Sequence, residues 1–137
     1  MDEIQAAVLC VKLPRLDADN EKRRSIARMY DAGIVNPLIT KPVVAEHPEE
    51  NVYHIYPIRC PKRDDLAAFL KQKNIQTMVH YPIPPHKQKA YKEWSGERFR
   101  ISERIHNEIL SLPISPVMTA EQVQYVIDAL NNFTAEV

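Results

Sequence analysis

The sequence predicts an α+β fold: a small sheet of about three strands covered by helices on one face. Three observations lead there. Five segments space their apolar residues at helical intervals, and three short runs are rich in β-branched or aromatic residues. From residue 52 onward the two kinds alternate, so the whole chain reads α-α-β-α-β-α-β-α. At 137 residues it fits one domain, 1–137, with helices over 1–34 and a β-α-β-α-β-α core over 35–137.

Residues 2–13 place Ile4, Ala7, Val8 and Val11 on one helical face, with Asp2 and Glu3 near the positive end of the helix dipole. Pro14 interrupts this pattern. A second one, through Leu16, Ile26, Ala27, Met29, Tyr30 and Ile34, runs to Gly33, which reads as a C-cap. Two helices or one kinked helix fit equally. Pro37, Pro42 and Pro48 break every period from Ile34 to Asn51, leaving a loop with a short extended piece around Pro42 to Ala45.

Residues 52–59 alternate as a strand, Val52, His54, Tyr56 and Ile58 facing one way and Tyr53, Ile55, Pro57 and Arg59 the other. Pro57 cannot donate to a ladder, which puts this strand at an edge or a bulge. A helix follows over KRDDLAAFLKQK, with Leu66, Phe69 and Leu70 inward and Asp64 and Asp65 in its first turn. IQTMVHY, residues 75–81, forms the second strand. A helix from about Ile101 to Leu110 leads into a third, LSLPIS. Thr119 and Gln122 form a capping box for the last helix, whose stripe is Val123, Val126, Ile127, Leu130 and Phe133.

Eighteen Lys plus Arg balance eighteen Asp plus Glu, so no global field draws the chain to nucleic acid or an anionic membrane, and no paired-aromatic RNA-binding strand is present. No apolar run approaches the roughly 18–20 residues of a membrane span, and the acidic MDEIQAAV is unlike a signal peptide. The expected location is cytoplasmic. Cys10 and Cys60 are expected to be buried free thiols. With only Gly33 and Gly96, a glycine-rich phosphate loop is excluded.

The candidate site is the stretch His80-Tyr81-Pro82-Ile83-Pro84-Pro85-His86-Lys87-Gln88, directly after a strand. Its prolines stiffen the free loop and lower the entropy lost when His80 or Tyr81 is fixed against a ligand. The competing reading is a rigid crossover that packs Tyr81 and Ile83 into the core. His80 and His86 lack helical i, i+4 spacing and a nearby carboxylate or cysteine, so no metal site is expected. Nothing beside Cys60 would lower its thiol pKa for nucleophilic work with a histidine. Lys22, Arg23 and Arg24 read as a solvated face, His54 as a half-buried histidine, and Tyr91 and Trp94 as caps on the core.

Four stretches carry a family likeness: MDEIQAAVLCVKL, NEKRRSIARMY, HIYPIRCPKRDDLAAFLKQKNIQTMVHYPIPPHKQKAY and SERIHNEILSLPISPVMTAEQVQYVIDAL. From Met1 to about Phe133 the chain resembles the DegT/DnrJ/EryC1/StrS sugar aminotransferases, most of all the branch acting on thymidine-diphosphate-linked 3-keto-6-deoxyhexoses. The resemblance implies the C-terminal small domain of a fold-type I, aspartate aminotransferase-like enzyme dependent on pyridoxal phosphate. Such enzymes serve amino-sugar and lipopolysaccharide O-antigen synthesis.

It further implies that His80 and Tyr81 face the nucleotide-sugar, with weaker grounds for His86 and Gln88, and that no catalytic residue lies in this chain. The Schiff-base lysine belongs to the N-terminal large domain of the family, so pyridoxal phosphate is not expected to bind here. Met1 resembles an internal methionine just after an Asn-x-Arg pair of the relatives. The implied partners are that large domain, a nucleotide-sugar and, at full length, a second copy in a homodimer. Two alternatives stay open: a free-standing nucleotide-sugar-binding or regulatory module, and the small domain of a sugar dehydratase of the same family. A chain without its large domain should expose an apolar patch and self-associate.

Overall fold

A computed structural model of the chain describes residues 2–43, 47 and 50–134. Helix α1 (Glu3–Lys12) continues through a 3-10 turn, Leu13–Arg15, into α2 (Leu16–Gly33). Strand β1 (Tyr56–Arg59), α3 (Arg63–Gln72), two 3-10 segments (Pro85–Lys87 and Lys89–Trp94), α4 (Arg100–Glu108), β2 (Ile109–Leu112) and α5 (Ala120–Asn131) follow. Pro14 therefore sits in a 3-10 turn that joins two helical segments.

β1 and β2 pair antiparallel, with Tyr56 opposite Leu112 and Ile58 opposite Leu110. Isolated bridges widen this ladder on both sides, Thr40 to Arg59 and Met78 to Ser111, both antiparallel. Met78 and β1 each run antiparallel to β2 and hence parallel to one another, with α3 between them in sequence. This is a split β-α-β unit. The α+β class stands, with two strands among the described residues and Met78 in place of the third.

The strand expected over 75–81 shrinks because β2 offers so little to pair with. The next ladder position beyond Ser111 and Leu112 is Pro113, which has no N–H, and on the other side the Ile109 N–H, which would face His80, is already donated to the Ile105 carbonyl at the end of α4. The strand expected over 52–59 is likewise cut to Tyr56–Arg59. Asn51 Oδ1 accepts from Tyr53 N–H at 2.8 Å, and Tyr53 takes a φ of 49°. That turn breaks the alternation, burying Tyr53 while Val52, His54 and Ile55 stay exposed. His54 is thus not the half-buried histidine expected. The extended piece expected over Pro42 to Ala45 falls partly outside the described residues.

The core lies between the inner faces of α2, α3 and α5 and the buried side of the ladder. Tyr30, Tyr56, Ile58, Leu66, Leu70, Leu110, Val123, Ile127 and Leu130 are fully buried there. Several of its polar groups are paired. Tyr30 Oη donates to the Pro113 carbonyl at 2.7 Å, Tyr56 Oη to Asp31 at 2.5 Å, and Asn36 Nδ2 to the carbonyls of Leu130 and Phe133 at 2.8 Å each. The Thr119–Gln122 box closes reciprocally at 3.0 and 3.3 Å.

The N-terminal end leaves an apolar helix face exposed, as expected of the chain, while the readings of Cys10 and Gly33 fail. No residue of α1 is buried, and Ile4, Val8 and Val11 keep 80, 51 and 75% of their surface exposed. Cys10, on the same helix, is exposed, whereas Cys60 is buried. Gly33 closes α2 as its last helical residue without positive φ, so left-handed capping does not explain it.

Candidate functional site

α4 passes directly into β2, so residues 100–112 form one continuous support for the loop that contains the candidate residues. His80 leaves the Met78 bridge and brings Nδ1 to 2.9 Å from Ser111 Oγ on β2. His86 turns inward, 4% exposed, and brings Nε2 to 2.8 Å from Glu103 Oε1 on α4. Glu103 Oε1 also accepts from Phe99 N–H at 3.2 Å, and the Phe99 ring stands edge-on to His86 at 4.8 Å.

The His86 hydrogen bond, helped by the Phe99 amide and the nearby Lys87 charge, holds the Glu103 carboxyl below the usual glutamate range. An ionised carboxylate only accepts, so His86 Nε2 carries the proton. The segment between the two histidines is thus an arch with one foot on Ser111 and the other on Glu103.

Pro82, Pro84 and Pro85 fix φ along the span. Backbone bonds from Lys87 to Pro84 at 2.9 Å and from Gln88 to Pro85 at 3.1 Å close its far end. Gln88 lies at the surface and donates to the Ile83 carbonyl at 3.4 Å. Tyr81 is 72% exposed, edge-on to His80 at 5.9 Å, and Ile83 is 52% exposed. The crest of the arch faces outward, which rules out the reading of a crossover packed into the core.

Of the four expected residues, His80, Tyr81 and Gln88 line or flank the crest, while His86 is an anchor beneath it. Sequence reasoning missed Glu103, Ser111 and Phe99, which carry no local signal. Tyr91 and Trp94 do not cap the core. They stack on each other at the surface, 5.0 Å apart and 4° from parallel. The solvated face expected of Lys22, Arg23 and Arg24 holds only for Lys22: Arg23 and Arg24 are half-buried, Arg24 Nε donates to the Asn51 carbonyl at 3.1 Å, and Arg23 Nε is buried with no partner among the described residues.

Two lysines near these elements are engaged by backbone carbonyls. Lys87 Nζ donates to the Ser95 and Glu97 carbonyls at 2.6 and 3.0 Å, and Lys41 Nζ to the Asp31 and Ile34 carbonyls at 2.5 and 3.0 Å. Both head groups are thereby turned onto backbone carbonyls. Among the described residues, no helix is long and apolar enough to cross a membrane.

The family model of the DegT/DnrJ/EryC1/StrS aminotransferases matches residues 1–131. The chain is 50% identical over 133 residues to a dTDP-3-amino-3,6-dideoxy-α-D-galactopyranose transaminase of Aneurinibacillus thermoaerophilus, covering 97% of this chain and 36% of that protein. The fold superposes with a TM-score of 0.90 on S. venezuelae DesV in complex with a ketimine intermediate, at 35% identity, covering all of this chain and 38% of that one. A structure of NtdA from Bacillus subtilis with bound cofactor PMP matches at 0.84 and 28% identity, covering 95% of this chain and 32% of that one. The chain thus spans a little over a third of the length of the relatives it matches most fully.

Proposed function

The chain belongs to the DegT/DnrJ/EryC1/StrS aminotransferase family, and from that premise we propose that it is the C-terminal, substrate-covering part of an enzyme that aminates a nucleotide-linked keto-deoxysugar. The observation that carries this reading is the outward crest of the arch, where Tyr81 is 72% exposed above two anchored histidines. A ring presented on a stiff support is suited to stack on, or donate to, a sugar-nucleotide at small entropic cost. His80, oriented through Nδ1 on Ser111, directs its other ring nitrogen to the same ligand, and Gln88 offers its amide oxygen beside it. His86 serves by holding the arch.

The names of the relatives support the substrate class, and the PMP-bound neighbour supports pyridoxal phosphate as the cofactor of the full enzyme. The cofactor and the lysine that carries it belong to the preceding large domain, and no step of amino transfer is assigned to residues of this chain. The uncovered face of α1 packs on that domain, and the complete enzyme is a cytoplasmic homodimer serving deoxy-amino-sugar synthesis for surface polysaccharide.

Complementation tests the reading. The large domain of a relative, inactive alone, is mixed with this chain and supplied with pyridoxal phosphate, an amino donor and a dTDP-linked 3-keto sugar. Transamination that appears only in the mixture supports it. Activity of neither part nor mixture, despite a stable complex, contradicts it.

A further inference from the structure

We infer that Glu103 is a positioning residue of this site, fixing the outward crest of the arch from beneath, an inference that rests on the reading of that crest as substrate-facing. Five residues, Tyr81 to Pro85, separate the two histidines, and three of them are prolines. With so few free torsions, the direction of Tyr81 follows from where the two feet stand. Both feet stand on one unit, Glu103 in α4 and Ser111 in β2, with Glu108 and Ile109 adjoining in sequence. That unit is tied to the core: Leu110 and Leu112 are buried, and the Glu108 carbonyl accepts from Cys60 N–H at 2.9 Å.

Of the two feet, the one on Glu103 governs more. A single oxygen accepts from His86 Nε2 and from the backbone of Phe99, at the residue that caps α4, so one carboxylate joins the arch to the start of the helix. His86 is buried, and deleting its acceptor strands a donor away from water. The charged and titratable groups around this joint are Lys87 and His86 on the arch and Glu103 on α4. Glu103 stands at the foot, away from the crest formed by Tyr81 and Ile83, so it acts through His86 and touches no ligand.

Glu103→Gln keeps an oxygen for the His86 N–H, while Glu103→Ala removes it. Three readouts on the chain separate position from general stability: the imidazole Nε2–H resonance of His86, the backbone order of Tyr81 and Ile83 by nitrogen relaxation, and the affinity for dTDP by chemical-shift titration. Amide exchange of Tyr56–Arg59 and Ile109–Leu112 reports whether the sheet is intact. In Glu103→Ala the His86 signal is lost, Tyr81 and Ile83 gain fast motion, and dTDP binding weakens about tenfold, the equivalent of about 1.4 kcal/mol. Glu103→Gln restores all three.

Should the alanine variant unfold the sheet, Glu103→Asp, one methylene shorter, carries the same comparison. Tyr81 and Ile83 as ordered in Glu103→Ala as in the parent, with the sheet intact, would overturn the inference. If the parent binds no dTDP while arch order still depends on Glu103, the substrate reading falls and the positioning role stands.

Discussion

Gly33 and Ile127 meet where α2 crosses α5, so closely that a Cβ on Gly33 would lie 2.9 Å from both Cδ1 and Cγ2 of Ile127. Ile127 is itself buried at 2% exposure and has little room to give way. A neighbouring clamp works through Asn131, whose side chain joins the Gly33 carbonyl at 2.8 Å and the Val35 amide at 2.9 Å. The two helices are thereby held at a separation that only glycine permits.

Gly33→Ala should destabilise the chain by about 1–3 kcal/mol, as overpacking does, although alanine is the better helix former. Chemical denaturation measures this. Ile127→Val added to Gly33→Ala should recover part of the loss, and a stabilised single variant would contradict the packing.

Burial pushes the phenols of Tyr30 and Tyr56 well above the usual tyrosine range, and at Tyr56 the hydrogen-bonded Asp31 pushes further. The folded pKa lies above the unfolded value of about 10, so the unfolded chain loses protons first as pH rises. The stability these groups contribute is complete below pH of about 10 and declines above it. An absorbance titration of the six tyrosines should show two that stay protonated until the chain unfolds. Tyr56→Phe should remove one of those two. All six titrating together in the folded protein would contradict the assignment.

Periodicity was a reliable guide where a helix buries its stripe inside this chain, as with Leu66 and Leu70 of α3 or Val123, Ile127 and Leu130 of α5. It was silent on α1, because an apolar stripe demands a partner without saying which polypeptide supplies it. Alternation misled at Tyr53, where one residue at positive φ inverts which neighbours face inward. The arch was visible in its prolines. Its supports were not, since Glu103 and Ser111 sit 17 and 31 residues from the histidines they hold, and no local pattern encodes such a pairing.

The exposed face of α1, with Ile4, Val8 and Val11, should drive self-association of the chain. Sedimentation across a range of concentrations should show a reversible shift to larger species, and Val8→Glu with Val11→Glu should abolish it without changing thermal stability appreciably. A monomer at every concentration would show that the face needs no cover.

Titration of dTDP into the chain, following the ring resonances of Tyr81 and the imidazole of His80, tests the substrate-facing arch most directly. The expected result is saturable shifts at Tyr81, His80 and Gln88, abolished by Tyr81→Ala, with α1 and α5 unmoved. Shifts absent from the arch while others saturate elsewhere on the surface would contradict it.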